Sequence, residues 1–116
     1  MFANSFHVLT TKQDLDAALD RSQKEPVLLF KHSSICPISA RAHDELKTLA
    51  TESSLPIYKV TVQNARAVSD QIEESLGVRH ESPQAIVLAD GNARFDASHG
   101  NVRAHTIQDV LSEVTS

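Results

Sequence analysis

The chain has 116 residues, 41% of them hydrophobic and 22% charged, which is the makeup of one ordinary folded domain over residues 1–116. Its formal net charge of −4, the absence of any basic stripe and the lack of Trp argue against a nucleic-acid partner. Such a partner needs clustered Lys and Arg for phosphates and aromatics for stacking. No segment is apolar for long enough to span a bilayer, and residues 1–6 lack the charged-then-apolar pattern of a secretory signal, so no membrane role is expected. The one cysteine cannot form an internal disulfide, and a lone thiol suits a reducing compartment; the cytoplasm is the expected location.

Strand and helix signals alternate along the chain. Phe6-His7-Val8-Leu9 reads as a short strand. Thr11 with Asp14 has capping-box spacing ahead of a helix carrying Leu15, Ala18 and Leu19. Pro26 closes that segment. Val27-Leu28-Leu29-Phe30 is a continuous apolar run, the pattern of a strand buried on both faces. Lys31-His32-Ser33-Ser34 reads as a polar turn leading to Cys36-Pro37, after which Ile38, Ala42, Leu46, Leu49 and Ala50 follow at helical spacing. Residues 57–62 read as the next strand, and Val68, Ile72 and Leu76 mark a helix that Gly77 can end in a left-handed conformation. Ser82-Pro83 precedes the buried strand 85–89. Asp90-Gly91-Asn92 then signals a hairpin into an edge strand with Arg94 and Asp96 outward and Phe95 inward. Ile107, Val110, Leu111 and Val114 close the chain as an amphipathic helix. Strands joined through helices are expected to be parallel, with the hairpin adding an antiparallel edge. The result is an α/β fold, a mixed central sheet flanked by helices, in the order of the thioredoxin-like fold.

Within that frame, Cys36 follows a buried strand across a short loop and opens a helix. Free N–H groups and the partial positive charge of a first helical turn favour a thiolate, and Pro37 suits the first helical position. In Cys36-Pro37-Ile38-Ser39, Ser39 stands where a Cys-x-x-Cys oxidoreductase has its second thiol. Any exchange at Cys36 is therefore monothiol: the cysteine attacks, holds a mixed disulfide and waits for an external thiol. Pro83, just before a buried strand, occupies the place where the thioredoxin fold carries a cis-proline beside the nucleophile, with the backbone of Ser82 offered to an incoming chain. The six histidines show no recognised ligand spacing; convergence of His32, His80 and His99 on Cys36 would be needed for a metal site, and none is predicted.

Three stretches carry a family resemblance: Phe30-Lys31-His32-Ser33-Ser34 running into Cys36-Pro37-Ile38-Ser39, then Val78-Arg79-His80-Glu81-Ser82-Pro83-Gln84, then Ala97-Ser98-His99. Over nearly its whole length the chain resembles the monothiol bacilliredoxins of the YtxJ type. The resemblance implies reduction of mixed disulfides between client proteins and bacillithiol. Cys36 would be the active-site cysteine, bacillithiol a co-substrate, and no cofactor would be bound. Lys31, His32 and Arg79 are candidates for placing positive charge near the thiolate or the malate carboxylates of bacillithiol. His80 and Glu81 are candidates for shaping the client groove or assisting proton transfer. Two alternatives stand beside this reading. One is a thioredoxin-fold binding module with an incidental cysteine. The other is a monothiol glutaredoxin using glutathione or carrying iron–sulfur clusters, although Pro37-Ile38 replaces the Gly-Phe pair of those carriers and no Gly-Gly pair follows the proline strand.

Overall fold

The computed structural model describes residues 6–115. In chain order the elements are β1 (His7–Val8), α1 (Lys12–Arg21), β2 (Val27–His32), α2 (Pro37–Glu52), β3 (Ile57–Thr61), α3 (Arg66–Leu76), β4 (Gln84–Ala89), β5 (Asn92–Ser98), a 3-10 turn (His99–Asn101) and α4 (Ala104–Thr115). The strands form one sheet in the order β1-β3-β2-β4-β5.

Alternation along the strands divides the core into two layers. Leu28 and Phe30 of β2 and Ala85 and Val87 of β4 pack with Ala42, Leu46 and Leu49 of α2 and Ile107 of α4. Val27 and Leu29, with Ile86 and Leu88, pack with Leu15 and Ala18 of α1 and Val68 and Ile72 of α3 on the other face. Covering both faces explains why residues 27–30 of β2 and 85–89 of β4 are apolar without interruption. The capping box at Thr11 and Asp14 is formed in both directions. Gly77 ends α3 at φ 69°, the left-handed conformation that glycine enters without a Cβ penalty. The Asp90-Gly91 turn has φ of 56° and 77°, the paired positive values of a type I′ hairpin.

Two expectations need correction. The antiparallel part of the sheet begins at β4, not at the hairpin: β1, β3 and β2 are mutually parallel where paired, but β4 runs antiparallel to β2. The reason is that α3 leaves and returns at the same end of the sheet, so β4 starts beside the end of β2. Lys31 and His32 are also strand residues, paired to Val60 and Thr61 of β3, rather than part of a turn. Both corrections matter for the site. With Lys31 opposite Gln84, the antiparallel register carries Pro83 alongside His32, four residues before Cys36.

Candidate active site

Cys36 is the N-cap of α2, extended at φ −103° and ψ 121°, with Pro37 as the first helical residue. The Cys36 side chain makes no capping hydrogen bond, yet the sulfur lies near enough to the first free amides of the helix for them to favour its thiolate. The backbone N–H of Ser39, with help from that of Ile38 and the Ser39 hydroxyl, holds the half-buried thiol below its ordinary pKa; partial burial opposes this.

The loop that carries the thiol is tied down. Ser39 is fully buried and its Oγ accepts from the Ser33 N–H at 3.2 Å. Gln63, just after β3, clamps the same loop: its Oε1 accepts from the Ser34 N–H at 3.3 Å, and its Nε2 donates to Ser33 Oγ at 2.7 Å. Nothing in the sequence marks Gln63, because the contact spans about thirty residues and has no motif. The apolar residues flanking the thiol are exposed instead, Ile35 at 83% and Ile38 at 47%.

The Ser82–Pro83 bond is cis, as the fold reading expects. The Pro83 carbonyl oxygen accepts from the His99 N–H at 2.9 Å, and His99 is held at φ 56°, a left-handed conformation uncommon for a side chain of this size. His99 Nε2 also lies 3.0 Å from Glu81 Oε1. The segments on either side of β4 and β5 are thus pinned together at the proline.

The basic residues singled out from sequence do not gather at the thiol. Lys31 is fully buried on the α3 face of β2, where its Nζ lies 3.2 Å from His80 Nδ1. A charge there cannot meet a substrate carboxylate at the surface. Burial lowers its pKa, and Glu73, Asp70 and Glu81 only partly counter this. His80 turns the same way, with Ser69 Oγ at 3.3 Å from Nδ1, while its backbone N–H donates to Glu73. His32 points to the opposite face, among Phe30 and His43, with ring centroids 5.4 and 5.2 Å away. Its Nδ1 is buried without a hydrogen-bond partner among the described residues. Burial, then His43 and Lys59, lowers its pKa, so near neutral pH it is an uncharged ring rather than a cation. His43, whose pKa is also lowered by burial, was not marked by any motif. Arg79 is exposed in the segment before Pro83, where its carbonyl accepts from Gln84 Nε2 at 2.9 Å. His32, His80 and His99 therefore occupy three separate environments.

The buried ammonium has a measurable consequence. Between the lowered folded pKa of Lys31 and the ordinary lysine range, the unfolded chain holds a proton that the folded chain does not. Stability therefore rises with pH across that window and declines as pH falls toward the folded value. Lys31→Met is expected to be neutral or stabilising by about 1 kcal/mol at pH 7, because an apolar side chain of similar length removes the desolvation cost. Its advantage over the parent should shrink as pH is raised. Urea unfolding of both proteins at pH 7 and pH 10 checks this, and a difference that does not change with pH contradicts it.

A sheet of this order, with a half-buried cysteine capping the helix after β2 and a cis-proline across from it, defines a thioredoxin-fold thiol oxidoreductase. The family model for monothiol bacilliredoxin BrxC matches residues 7–107, and the chain belongs to that family. Among solved structures, one described as a candidate oxidoreductase with a thioredoxin fold superposes with a TM-score of 0.83 at 29% identity, over 89% of this chain and 90% of its own. A thioredoxin from Trypanosoma brucei brucei gives 0.79 at 11% identity, over 99% and 96%. A mutant thioredoxin from Halobacterium salinarum gives 0.77 at 18%, over 100% and 96%. The last two likenesses are of fold alone.

Proposed function

We propose that Cys36 is the nucleophile of a monothiol exchange that removes bacillithiol from proteins. The Cys36 thiolate attacks the bacillithiol sulfur of a client mixed disulfide. A new S–S bond forms to Cys36, the client sulfur leaves as a thiolate and takes a proton from water. A second bacillithiol, as thiolate, then attacks the sulfur of the bound one. Bacillithiol disulfide leaves and the Cys36 thiolate is restored, so the client is reduced and bacillithiol is oxidised.

The observation that supports this reading is Cys36 as the N-cap of α2 with its thiolate favoured by the amides of Ser39 and Ile38, in a chain with one cysteine. Lacking an internal resolving thiol, the mixed disulfide must wait for an external one. Ser82 and Pro83 would present backbone to the client, and the exposed Ile35 and Ile38 would contact its apolar side chains. The cytoplasm, where thiols are kept reduced, fits such a cycle.

The test is intact mass after mixing reduced protein with bacillithiol disulfide and, separately, with glutathione disulfide. One bacillithiol adduct, formed faster than the glutathione adduct and absent from Cys36→Ser, is expected. An adduct preferring glutathione would reassign the thiol, and no adduct with either would leave a binding module.

A further inference from the structure

A pocket of about 320 Å³ opens beside the thiol-bearing end of α2, between that helix and the turn leading into α4. Ile38, Arg41, Ala42 and Glu45 form its α2 wall, at the i, i+3, i+4, i+7 spacing of one helical face. Across from them stand His99 and Arg103.

Two of the four ionisable groups in this pocket are already engaged. Glu45 Oε1 accepts from the Ala104 N–H at 2.8 Å, capping the start of α4, and His99 is bonded to Glu81. Arg41 and Arg103 are exposed, and neither guanidinium has a hydrogen-bond or ion-pair partner among the described residues. A protein of net charge −4 thus keeps two unengaged guanidiniums at the mouth of one cavity. Guanidinium is the group suited to grip carboxylates with paired N–H donors. Arg41 lies five residues beyond Cys36, about 7.5 Å along the helix axis, within the span of a small thiol bonded to that cysteine.

We propose that this pocket is the carboxylate subsite for the low-molecular-weight thiol held on Cys36, with Arg41 and Arg103 gripping its anionic end and Ile38 bordering its stem. The inference rests on Cys36 being the exchange nucleophile. It gives the carboxylate-recognition role to a place none of Lys31, His32 or Arg79 occupies. Bacillithiol, with its malate group, and glutathione both carry two carboxylates, so the chemistry is shared and the experiment separates them.

Second-order rates of adduct formation would be measured for the parent and the Arg41→Gln/Arg103→Gln double variant. The disulfides would be bacillithiol disulfide, glutathione disulfide, the malate-free disulfide of cysteinyl-glucosamine, and the uncharged hydroxyethyl disulfide. The double variant is expected to react with bacillithiol disulfide at least tenfold more slowly. It should match the parent within twofold on hydroxyethyl disulfide and on the malate-free disulfide. Equal rates of parent and variant on both bacillithiol disulfide and glutathione disulfide would overturn the subsite, while an adduct still formed with bacillithiol disulfide would leave bacillithiol exchange standing. An arginine-dependent rate with glutathione disulfide alone would keep the subsite and overturn bacillithiol as its thiol. Equal slowing on all four disulfides would overturn it, since the arginines would then act through Cys36 itself.

Discussion

Ser39→Cys is expected to convert a protein that holds its mixed disulfide into one that expels it. Ser39 is fully buried, and its hydroxyl and backbone N–H both help to stabilise the Cys36 thiolate. A sulfur placed there would stand against the S–S bond that Cys36 forms with a substrate. Attack from within the same helical turn competes with an external thiol at millimolar concentration, and well-oriented intramolecular reactions have effective molarities far above that. The lifetime of the adduct should fall about a hundredfold or more, ending in an intramolecular disulfide. Quenched-flow mass spectrometry of the preformed adduct reads this directly. An adduct that persists as long as in the parent would mean that position 39 does not face the reacting sulfur. The same substitution should leave the first attack largely intact, because the Ser39 and Ile38 amides remain.

Phe30→Ala is expected to have the largest effect on stability. Phe30 lies in the central strand β2, fully buried among Leu28, Ala42, Leu46 and Val87, and its ring also meets His32 and His43. Truncating a buried Phe removes its transfer free energy and leaves a cavity, together about 3–5 kcal/mol. A domain of this size has only about 5–15 kcal/mol in total. Urea unfolding should show a lower midpoint with an unchanged slope, and a loss below about 1 kcal/mol would mean that the layer between β2 and α2 collapses around the gap. The effect should reach the site, since β2 leads through His32 and Ser33 to Cys36.

Much of this was legible in the chain before its structure. Apolar runs marked β2 and β4, Thr11 and Asp14 marked a helix start, and Asp90-Gly91 marked the hairpin, because each is a local signal. Cys36-Pro37 opening a helix was readable for the same reason. What was not readable depends on register and direction. Lys31 ends an apolar run, and a lysine there reads as the start of a loop. Only pairing with Val60 and Gln84 shows that it continues the strand and is buried. The direction of β4 was hidden because a helical connection does not state which end of the sheet it returns to. Gln63 and His43 carry no motif, and the pocket between α2 and α4 joins residues about sixty positions apart. A positive charge assigned to residue type alone does not suit His32, where burial, then His43 and Lys59, disfavours the charged ring.

The most direct measurement of the central claim is the rate of Cys36 alkylation by iodoacetamide from pH 4 to pH 10. Rate follows the thiolate fraction, so the midpoint reports the pKa of the one sulfur in the chain that iodoacetamide targets as a thiol. The amides of Ser39 and Ile38 predict a midpoint below about 8.5, the ordinary cysteine value, with substantial reactivity at neutral pH. Ser39→Ala should move the midpoint upward by removing the hydroxyl's share while keeping the backbone N–H. A midpoint at or above the ordinary value in the parent would contradict an activated thiolate at the start of α2, and with it the exchange mechanism.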